Sequence, residues 1–474
     1  MALAGEALLI VGAFALSGCA LRAPPGSDEM RGQMKSQTGV PEQWSAGGAA
    51  AGPVSDGWLH EFSDLALESY VKEALAHNAD IQSAAARVEQ ARYYVTAAGA
   101  ALYPAVNAVA RGGANESDPN AGWNGAVIAA SWELDVWGRV RAGRGAAVEA
   151  YVASADDFAF ARQSIAAMTA KSWFTAAEAQ LQLALASNAV RIAEQVVDLT
   201  RSRRRYGAGD EYDIAVAQAS LGSFLDTRRQ LELAYQQALR ALEVLLGRYP
   251  SARMTAAAEL PKMPGPVPAG LPSELLERRP DVVAAERRIA AAFYQVQAAK
   301  AARLPQISLT ASVSSISSDL FVLKDRDNPV WAAGVGLLAP IFQGGALKAQ
   351  QDIRTAEQAQ AVAEYARVGL RAFNEVESAL ASEFTLKERE TILRDVVAQN
   401  ERALALAQTR YRLGAVDLRS VSQQQLSLYA ASTALLRVQS EARIQRVNLY
   451  LALGGNFESP PSSAQNEGVT VGAR

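Results

Sequence analysis

Few residues of this 474-residue chain are of the types that carry out enzymatic chemistry. The sequence contains one cysteine, Cys19, and two histidines, His60 and His77. A single cysteine excludes an intrachain disulfide and any zinc site built from several cysteines, and two histidines leave little for metal binding or catalysis. There is no Ser-His-Asp set, and the glycine pairs at 112–113 and 344–345 are too isolated to cradle a phosphate. The sequence therefore predicts no enzyme and no metal site.

The chemistry that the sequence does indicate is acylation of Cys19. Residues 7–17 form an apolar run that is too short, at about 1.5 Å per residue, to span a hydrocarbon core of about 30 Å. Its length is typical of a secretory signal. The run ends in LSGC, which resembles the bacterial lipobox, where the cysteine thiol is diacylated and becomes the first residue of the mature protein. Ala20 follows instead of Asp, which by the same resemblance favours the outer membrane.

The rest of the composition restricts the partners of the chain. Lys and Arg number 46 against 49 Asp and Glu, a near balance that argues against a nucleic-acid partner. No later stretch reaches 18 uncharged apolar residues, so no membrane-spanning helix is predicted. Acyl chains contribute about 0.8 kcal/mol per buried CH₂. A lipid on Cys19 would therefore hold the chain at a membrane surface.

The placement of proline and glycine predicts very long helices. No proline occurs in residues 120–249 or 341–459, and no glycine occurs from 146 to 206. Since proline in a helix interior costs about 3 kcal/mol, such windows permit long helices, and residues 146–206 alone would form a rod of about 90 Å. A rod of that length belongs to a coiled coil or an elongated bundle. The apolar residues at three- and four-residue steps fit this prediction and fit an ordinary amphipathic helix equally well.

Each long helix is predicted to end at a glycine-containing turn. Residues 206–210 read YGAGD and residues 411–415 read YRLGA. Glycine just past a helix end supplies a left-handed C-cap, and arginines before each turn complement the negative helix end. Helices then resume to residues 246 and 453. The sequence therefore predicts two long antiparallel hairpins with Gly209 and Gly414 at their tips.

The two halves of the chain are predicted to form an internal repeat. Each half reads as helix, two extended stretches, long helix, turn and helix, and a proline-rich linker at 250–272 joins them. Chance similarity between alanine-rich helices is the alternative, which the constant offset across 26 residues argues against. The aligned residues are Asp80 with Asp281 and Pro104 with Pro305 at an offset of 201, and Tyr206 with Tyr411 and Gly209 with Gly414 at an offset of 205.

Four extended stretches are predicted to be strands, at about 105–115, 123–137, 305–318 and 329–342. In the third, apolar residues from Ile307 to Val313 alternate with Ser and Thr, the pattern of a strand with one wet and one apolar face. Turns rich in Asn, Asp and Pro, at 115–120 and 325–329, follow the first and third stretches. The lengths match the roughly 9–11 residues of a tilted transmembrane strand. A soluble sheet of two hairpins packed on helices is the alternative.

Four strands are too few to close a barrel in one chain. Known single-chain membrane barrels begin at about eight strands, and an open sheet edge is excluded from lipid because its backbone groups would be unsatisfied. Transmembrane strands must therefore be pooled across subunits. Three chains would give twelve strands and a tube of twelve helices, but the sequence alone requires only more than one copy.

Several motifs together resemble the NodT-type outer-membrane efflux lipoproteins of the TolC-like, or OprM-like, family. They are LPSELLERRPDV at 271–282, LPQISLT at 304–310, WELDVWGR at 132–139 and PIFQGG at 340–345. The resemblance covers roughly residues 59–455 together with the lipobox. It implies a mainly α fold with a transmembrane β-barrel part, in which a trimer forms a twelve-stranded barrel in the outer membrane and a helical tunnel through the periplasm.

The resemblance also implies a function and partners. Such proteins are passive exit ducts of tripartite efflux systems. A periplasmic membrane-fusion adaptor docks on the helix turns, and an inner-membrane transporter, often of the resistance-nodulation-division class, supplies energy. The duct needs no cofactor beyond the lipid on Cys19, and the sequence does not name the exported compound. The competing hypothesis is a lipid-anchored periplasmic coiled-coil scaffold without a pore, which would not need the alternating strands.

The resulting domain organisation follows the motifs. We expect a signal peptide at 1–18, a lipid-anchored extended segment at 19–58 and a first TolC-like repeat at 59–249. The linker at 250–272 precedes a second repeat at 273–455 and a flexible tail at 456–474.

By the resemblance, residues at and beyond the two turns form the periplasmic gate. Three-fold symmetry would repeat each charged residue in a ring that attracts counter-ions. For each acid the alternative is a solvated residue at a helix N-terminus, and for the tyrosines it is helix-end packing. Relatives often carry an acidic residue at the position of Gln423, so we expect different residues to close the channel here. The candidates are Asp210, Glu211, Asp213, Asp417, Arg419, Gln423, Tyr206 and Tyr411.

Overall fold

The computed structural model describes residues 23–46, 52–111, 124–207, 209–317 and 330–458. Within these ranges the chain is mostly helical and contains a four-stranded antiparallel sheet, as predicted. The signal sequence, Cys19, the two strand-connecting turns and most of the predicted tail lie outside the described residues. The elements are α1 Ser27–Thr38, α2 Trp58–Glu61, α3 Leu65–His77, α4 Ala79–Ala100, β1 Ala105–Arg111, β2 Asn124–Leu134, α5 Arg139–Arg205, α6 Glu211–Leu245, α7 Pro272–Arg278, α8 Pro280–Ala301, β3 Gln306–Ser317, β4 Val330–Leu338, α9 Ala346–Arg412 and α10 Leu418–Ala452.

The chain forms two compact units that alternate along the sequence. The first, which we call the strand unit, comprises the described residues within Met1–Thr38, Ala85–Asp157 and Asp281–Gly369 and contains the sheet. The second, the turn unit, comprises Gly39–Ala84, Phe158–Pro280 and Leu370–Arg474 and contains the turns between the long helices. Helices α5 and α9 each contribute residues to both units.

The prediction of long helices is confirmed. Helices α5 and α9 have 67 residues each, and α6 and α10 have 35 each. Proline is absent from all four, so their backbone hydrogen bonding is uninterrupted. The first helix of each pair ends before a glycine with positive φ, Gly207 at 71° and Gly414 at 76°. Only glycine adopts this left-handed conformation without strain, which is why both helices stop there.

The sheet of the strand unit has one apolar and one polar face. Its strand order is β1-β2-β3-β4, and the register places Ile128 beside both Ala108 and Val313, and Val313 beside Trp331. The opposite face, which we call the polar face, carries Ser and Thr on β3, as the predicted alternation requires, and mostly small residues and valine on the other strands. We call the other side the apolar face, and its side chains are Val106, Ala108, Ala110, Ala126, Ile128, Ala130, Trp132, Leu134, Ile307, Leu309, Ala311, Val313, Trp331, Ala333, Val335 and Leu337.

The apolar face is exposed at the edge strands β1 and β4 and half-buried over much of β2 and β3. Trp331 is 76% exposed, Val335 73% and Val106 66%. This is the reverse of what a soluble sheet packed on its own helices would show, because such a sheet would bury these side chains. The strands β1 and β4 are the two edges of the sheet, each paired on one side only in the described chain.

Two strands end earlier than predicted. Strand β2 ends at Leu134 because the next residue, Asp135, turns its carboxylate to the start of α5, where it accepts hydrogen bonds from Val140 N at 2.9 Å and Arg141 N at 2.8 Å. Strand β4 ends at Leu338, two residues before Pro340, which has no N–H to donate to a ladder.

The Arg-Arg-Pro-Asp motif lies in a buried part of the turn unit. Arg279 is 1% exposed, and its Nη1 donates to Glu375 Oε2 at 2.6 Å and to the Ala452 carbonyl at 3.2 Å. Its guanidinium lies 5.7 Å from the ring centre of Phe160. Arg279 therefore joins the start of α8 to three other helices, which gives this arginine a structural role.

None of the described helices is both long enough and apolar enough to cross a bilayer.

Candidate functional site

Two turns of the turn unit form the candidate site. The first joins α5 to α6 and the second joins α9 to α10. Asp210 and Asp417 are the N-caps of the returning helices: Asp213 N donates to Asp210 Oδ1, and Ser420 N donates to Asp417 Oδ1, both at 2.9 Å. Each turn is thus fixed by a glycine on one side and an aspartate cap on the other.

An apolar cluster holds the ends of the four long helices together. Leu418 and Val421 at the start of α10 are each 1% exposed, and every one of the four helices contributes to the cluster. This packing positions the polar side chains of one hairpin against those of the other. The buried members are Val196, Val197, Ala217, Leu404, Tyr411, Leu418 and Val421.

Tyr411 links the cluster to the polar surface. Its ring is 2% exposed, with the Arg203 guanidinium 4.4 Å from the ring centre, and Arg203 Nη1 donates to the Tyr411 carbonyl. Its hydroxyl donates to Asp213 Oδ2 at 3.4 Å. Burial, followed by the Asp213 carboxylate, raises the pKa of Tyr411 to about 12. Tyr206, by contrast, is 87% exposed, and its side chain forms no hydrogen bond with another described residue.

A second contact between the hairpins involves a residue that we did not predict. Arg419 Nη2 donates to the hydroxyl of Tyr212 at 2.9 Å. This bond, followed by the interaction with Asp417, raises the pKa of Arg419 above its usual value. Tyr212 is 57% exposed and stands at the start of α6, so the bond joins the outer surfaces of the two turns.

The predicted acids fall into three environments. Asp210 and Asp417 cap helices, and the Ser420 hydroxyl, donating at 2.7 Å, is the main cause that lowers the pKa of Asp417. Glu211 forms an exposed ion pair with Arg204, a type of contact that contributes little to stability. Asp213 accepts from Tyr411. The structure therefore brings Asp213, Tyr411 and Arg419 into contacts between hairpins and leaves Asp210 and Glu211 in local ones.

Gln423 lines an open cleft between α9 and α10. The cleft has a volume of about 620 Å³ and also contains Arg410, Asp417 and Arg419. Its polar lining can bind or repel ions by charge. Among the described residues, no group of three or more His, Cys, Asp and Glu side chains is placed to hold a metal ion.

The predicted pairing of the two turns is displaced by two residues. Both predicted tip glycines lie in the turns, but the glycine that matches Gly414 in conformation is Gly207, not Gly209. Tyr206 and Leu413 are the residues immediately before these glycines, and both are exposed, so the pairing of Tyr206 with Tyr411 is wrong. Alignment on the N-cap aspartates, 417 − 210 = 207, would have placed Tyr212 opposite Arg419.

Comparison with known proteins assigns the chain to a class. Residues 70–248 and 271–455 match the family described as outer membrane efflux protein. The chain belongs to this family, whose members are channels and not enzymes, so the resemblance to TolC-like proteins is confirmed. It is an efflux channel protein of the outer membrane.

Individual relatives match over almost their full length. The pyoverdine export outer membrane protein OpmQ of Pseudomonas aeruginosa is 33% identical, with 94% of this chain and 96% of the relative covered. The probable efflux pump outer membrane protein TtgC of Pseudomonas putida is 31% identical, with 97% of each covered. The solved structure of the outer membrane protein VceC of Vibrio cholerae is 26% identical, with a TM-score of 0.78, and covers 86% of this chain and 100% of that one.

Proposed function

We propose that this chain forms a homotrimeric exit duct, which passively conducts small molecules from a periplasmic adaptor and an inner-membrane pump to the exterior. The observation that carries the proposal is the exposed apolar face on a sheet with two unpaired edges. Such a face is suited to lipid, and such edges are excluded from lipid unless another strand pairs with them. A second copy of the chain supplies that strand.

Three copies can place the apolar face against lipid and also pair every strand edge. Pairing β1 of one copy with β4 of the next closes a ring without a free edge, and three copies give twelve strands. The polar face then lines the interior. A scaffold without a pore would have no use for the exposed apolar face, and it would be poorly soluble with it.

The internal repeat is part of the proposal. Equal lengths support it: α4 and α8 have 22 residues each, α5 and α9 have 67, and α6 and α10 have 35. We retain the repeats at 59–249 and 273–455 with the linker at 250–272. The signal peptide at 1–18, the lipid on Cys19, the anchored segment at 19–58 and the tail from 456 complete the proposed organisation.

The proposed partners act at the turns. The relative OpmQ is named as a pyoverdine export protein, and the relative TtgC as a probable efflux pump protein. By extension we propose that an adaptor docks on the turn unit and that a transporter, of resistance-nodulation-division type by family likeness, selects the cargo. The proposed gate comprises the predicted acids and tyrosines at the turns, together with Arg419, Gln423 and Tyr212.

Reconstitution tests the function directly. Purified lipidated protein in planar bilayers should give discrete ion-conducting steps without any energy source. Deleting the gene should raise sensitivity to at least one class among drugs, dyes, solvents and metals. Bilayers that show no conductance at any voltage, with the protein demonstrably inserted, would favour the scaffold.

A further inference from the structure

We propose that the segments before the start of β3 and after the end of β4 form a binding site for anionic phospholipid headgroups. The site, which we call the junction patch, consists of Lys300, Arg303, Lys348, Ile341 and Phe342. It belongs entirely to the strand unit. The inference rests on the proposed function, because the apolar face must lie in a bilayer for the patch to meet a headgroup layer.

The three cations of the patch lie at one end of the sheet. Gln306 at the start of β3 pairs with Leu338 at the end of β4. Arg303, three residues before β3, donates from Nη1 to Gln351 Oε1 at 2.6 Å and so joins the end of α8 to the start of α9. Lys348 lies one helical turn before Gln351 on the same side of α9, and Lys300 lies in the last turn of α8, three residues before Arg303.

The charges of the patch are not neutralised by the chain itself. All three cations are exposed. Within the described part of the chain, Lys300 and Lys348 form no ion pair, and the one side-chain partner of Arg303 is an uncharged amide. Asp352, one turn beyond Lys348, is exposed and also unpaired within the described ranges. Three cations against one acid leave a local positive excess that attracts an anion.

The junction between β2 and α5, which we call the first junction, differs in charge from the second junction, between β4 and α9. At the first junction Arg139 Nε donates to Glu133 Oε1 at 2.9 Å, and Arg141 Nε lies 3.1 Å from Asp135 Oδ2. Both arginines are thus matched by carboxylates. Arg144, one turn beyond Arg141, is exposed and forms no ion pair within the described ranges. The first junction therefore keeps one unneutralised cation, whereas the second has three cations against one acid.

Apolar side chains beside the cations indicate lipid and not a soluble anion. Ile341 is 92% exposed and Phe342 is 88% exposed, and both lie between the end of β4 and Lys348. The apolar face ends nearby, at Leu337. A phospholipid can make both kinds of contact, because its acyl chains pack against the apolar residues while its phosphate binds the cations. The fit is to a lipid such as phosphatidylglycerol, whose headgroup carries a net negative charge.

Quenching of tryptophan fluorescence by brominated lipids measures how strongly the patch prefers an anionic lipid to a zwitterionic one. Trp137 is a reporter at the patch, since its Nε1 donates to the Pro305 carbonyl, two residues from Arg303. Trp132 and Trp331 lie on the apolar face, so the wild type and all variants are compared in the W132F/W331F background. The full chain in bilayers is titrated with brominated phosphatidylglycerol or brominated phosphatidylcholine. We expect wild type to prefer phosphatidylglycerol by at least about fivefold at low salt, and to lose the preference near 0.5 M salt, where the screening length falls to a few ångströms.

Variants at the patch and elsewhere distinguish an effect of the patch cations from an effect of the total charge of the chain. The variant K300Q/R303Q/K348Q should bind both lipids equally. The matched control K387Q/R389Q/R402Q removes three exposed cations elsewhere on α9 and should keep the wild-type preference. The variant K300R/K348R should keep it too, because the charge is retained. If the triple variant does not assemble, the salt titration of wild type and the single variant K348Q, with a smaller loss, carry the test.

The outcomes distinguish this proposal from the function on which it rests. Equal binding of both lipids by inserted, conducting wild-type protein overturns the junction patch alone. So does a patch variant that keeps its lipid preference but changes the anion-to-cation permeability ratio, which would place the cations in the lumen. A wild-type chain that never enters the bilayer would contradict the proposed duct, and the patch with it.

Discussion

At the scale of single residues, three hydrogen bonds join one hairpin to the other at the turns, and one of them runs from Arg203 on α5 to the Tyr411 carbonyl. Tyr411 on α9 donates to Asp213 on α6, and Arg419 on α10 donates to Tyr212 on α6. Each bond is of a kind that contributes about 1 kcal/mol, or somewhat more where a charged group takes part. Contacts of this strength can hold two helix ends together and still be broken by a docking partner.

Removing two acids at the turns tests their role in the closed state. The double variant D213A/D417A loses the acceptor of the Tyr411 hydroxyl and the N-cap of α10. Loss of a cap costs about 1 kcal/mol, and the lost hydrogen bond adds a similar amount. We expect the ion conductance of reconstituted channels to rise several-fold, measured as mean current in planar bilayers.

The control for that experiment removes two aspartates that make only local contacts. Asp226 accepts from Gln230 at 2.7 Å, and Asp395 accepts from Gln399 at 3.4 Å, each one turn along its own helix. The variant D226A/D395A should conduct like wild type. Equal currents from D213A/D417A and wild type would remove Asp213 and Asp417 from the gate.

Tyr411 predicts a pH dependence at the alkaline end. Because its pKa is raised to about 12 in the fold against about 10 when unfolded, the folded state holds the hydroxyl proton more tightly. Its contribution to stability is therefore fully present below pH 10 and is lost as the pH rises towards 12. An ultraviolet difference titration of wild type against Y411F should show one tyrosine ionising near pH 12. Ionisation near pH 10 would contradict the burial of Tyr411.

At the scale of elements, the turns depend on backbone conformation more than on side-chain contacts. Gly414 has a φ of 76°, and a Cβ added there would meet nothing within 4 Å. Any loss of turn stability in G414A therefore comes from backbone conformation, because an alanine in the left-handed region costs about 1–2 kcal/mol. We expect hydrogen exchange of the turn amides to accelerate by about tenfold, since 1.4 kcal/mol corresponds to a factor of ten.

A glycine inside a helix provides the opposite case. Gly222 lies within α6, and an added Cβ would again meet nothing within 4 Å. Alanine in place of glycine in a helix interior stabilises by roughly 0.5–1 kcal/mol. G222A should therefore slow local exchange while G414A speeds it. Changes of the same sign in both variants would argue against the left-handed cap.

The elements were predictable from sequence because local rules decide them. The proline-free windows predicted the long helices, and the alternation from Ile307 to Val313 predicted β3. The contacts at the turns were not predictable in the same way. Tyr212 meets Arg419 only after two hairpins pack, and an alignment guided by Tyr206 and Tyr411 was displaced by two residues. The end of β2 was missed because the Asp135 carboxylate caps the start of α5, which the alternating pattern conceals.

At the scale of the whole molecule, the apolar face predicts opposite outcomes for two substitutions on one strand. Val335 lies on this face, whereas Ala332 lies on the polar face beside Ser312. Both are exposed in the isolated chain, so a soluble protein would tolerate lysine at either position. In lipid, V335K costs up to about 2–4 kcal/mol per chain, and A332K faces the water-filled interior.

Outer-membrane assembly measures this difference. We expect V335K to reduce the amount of heat-modifiable oligomer recovered from outer membranes by at least tenfold, while A332K leaves it near the wild-type level. Equal recovery of the two variants would show that the apolar face does not contact lipid.

The central claim is that several copies share one membrane wall, and cryo-electron microscopy of the lipidated chain in lipid nanodiscs tests it most directly. We predict a three-fold symmetric particle whose bilayer contains a closed ring of twelve strands, with β1 of each copy paired to β4 of the next. Single chains with their four strands outside the bilayer, or a sheet with open edges, would contradict the account.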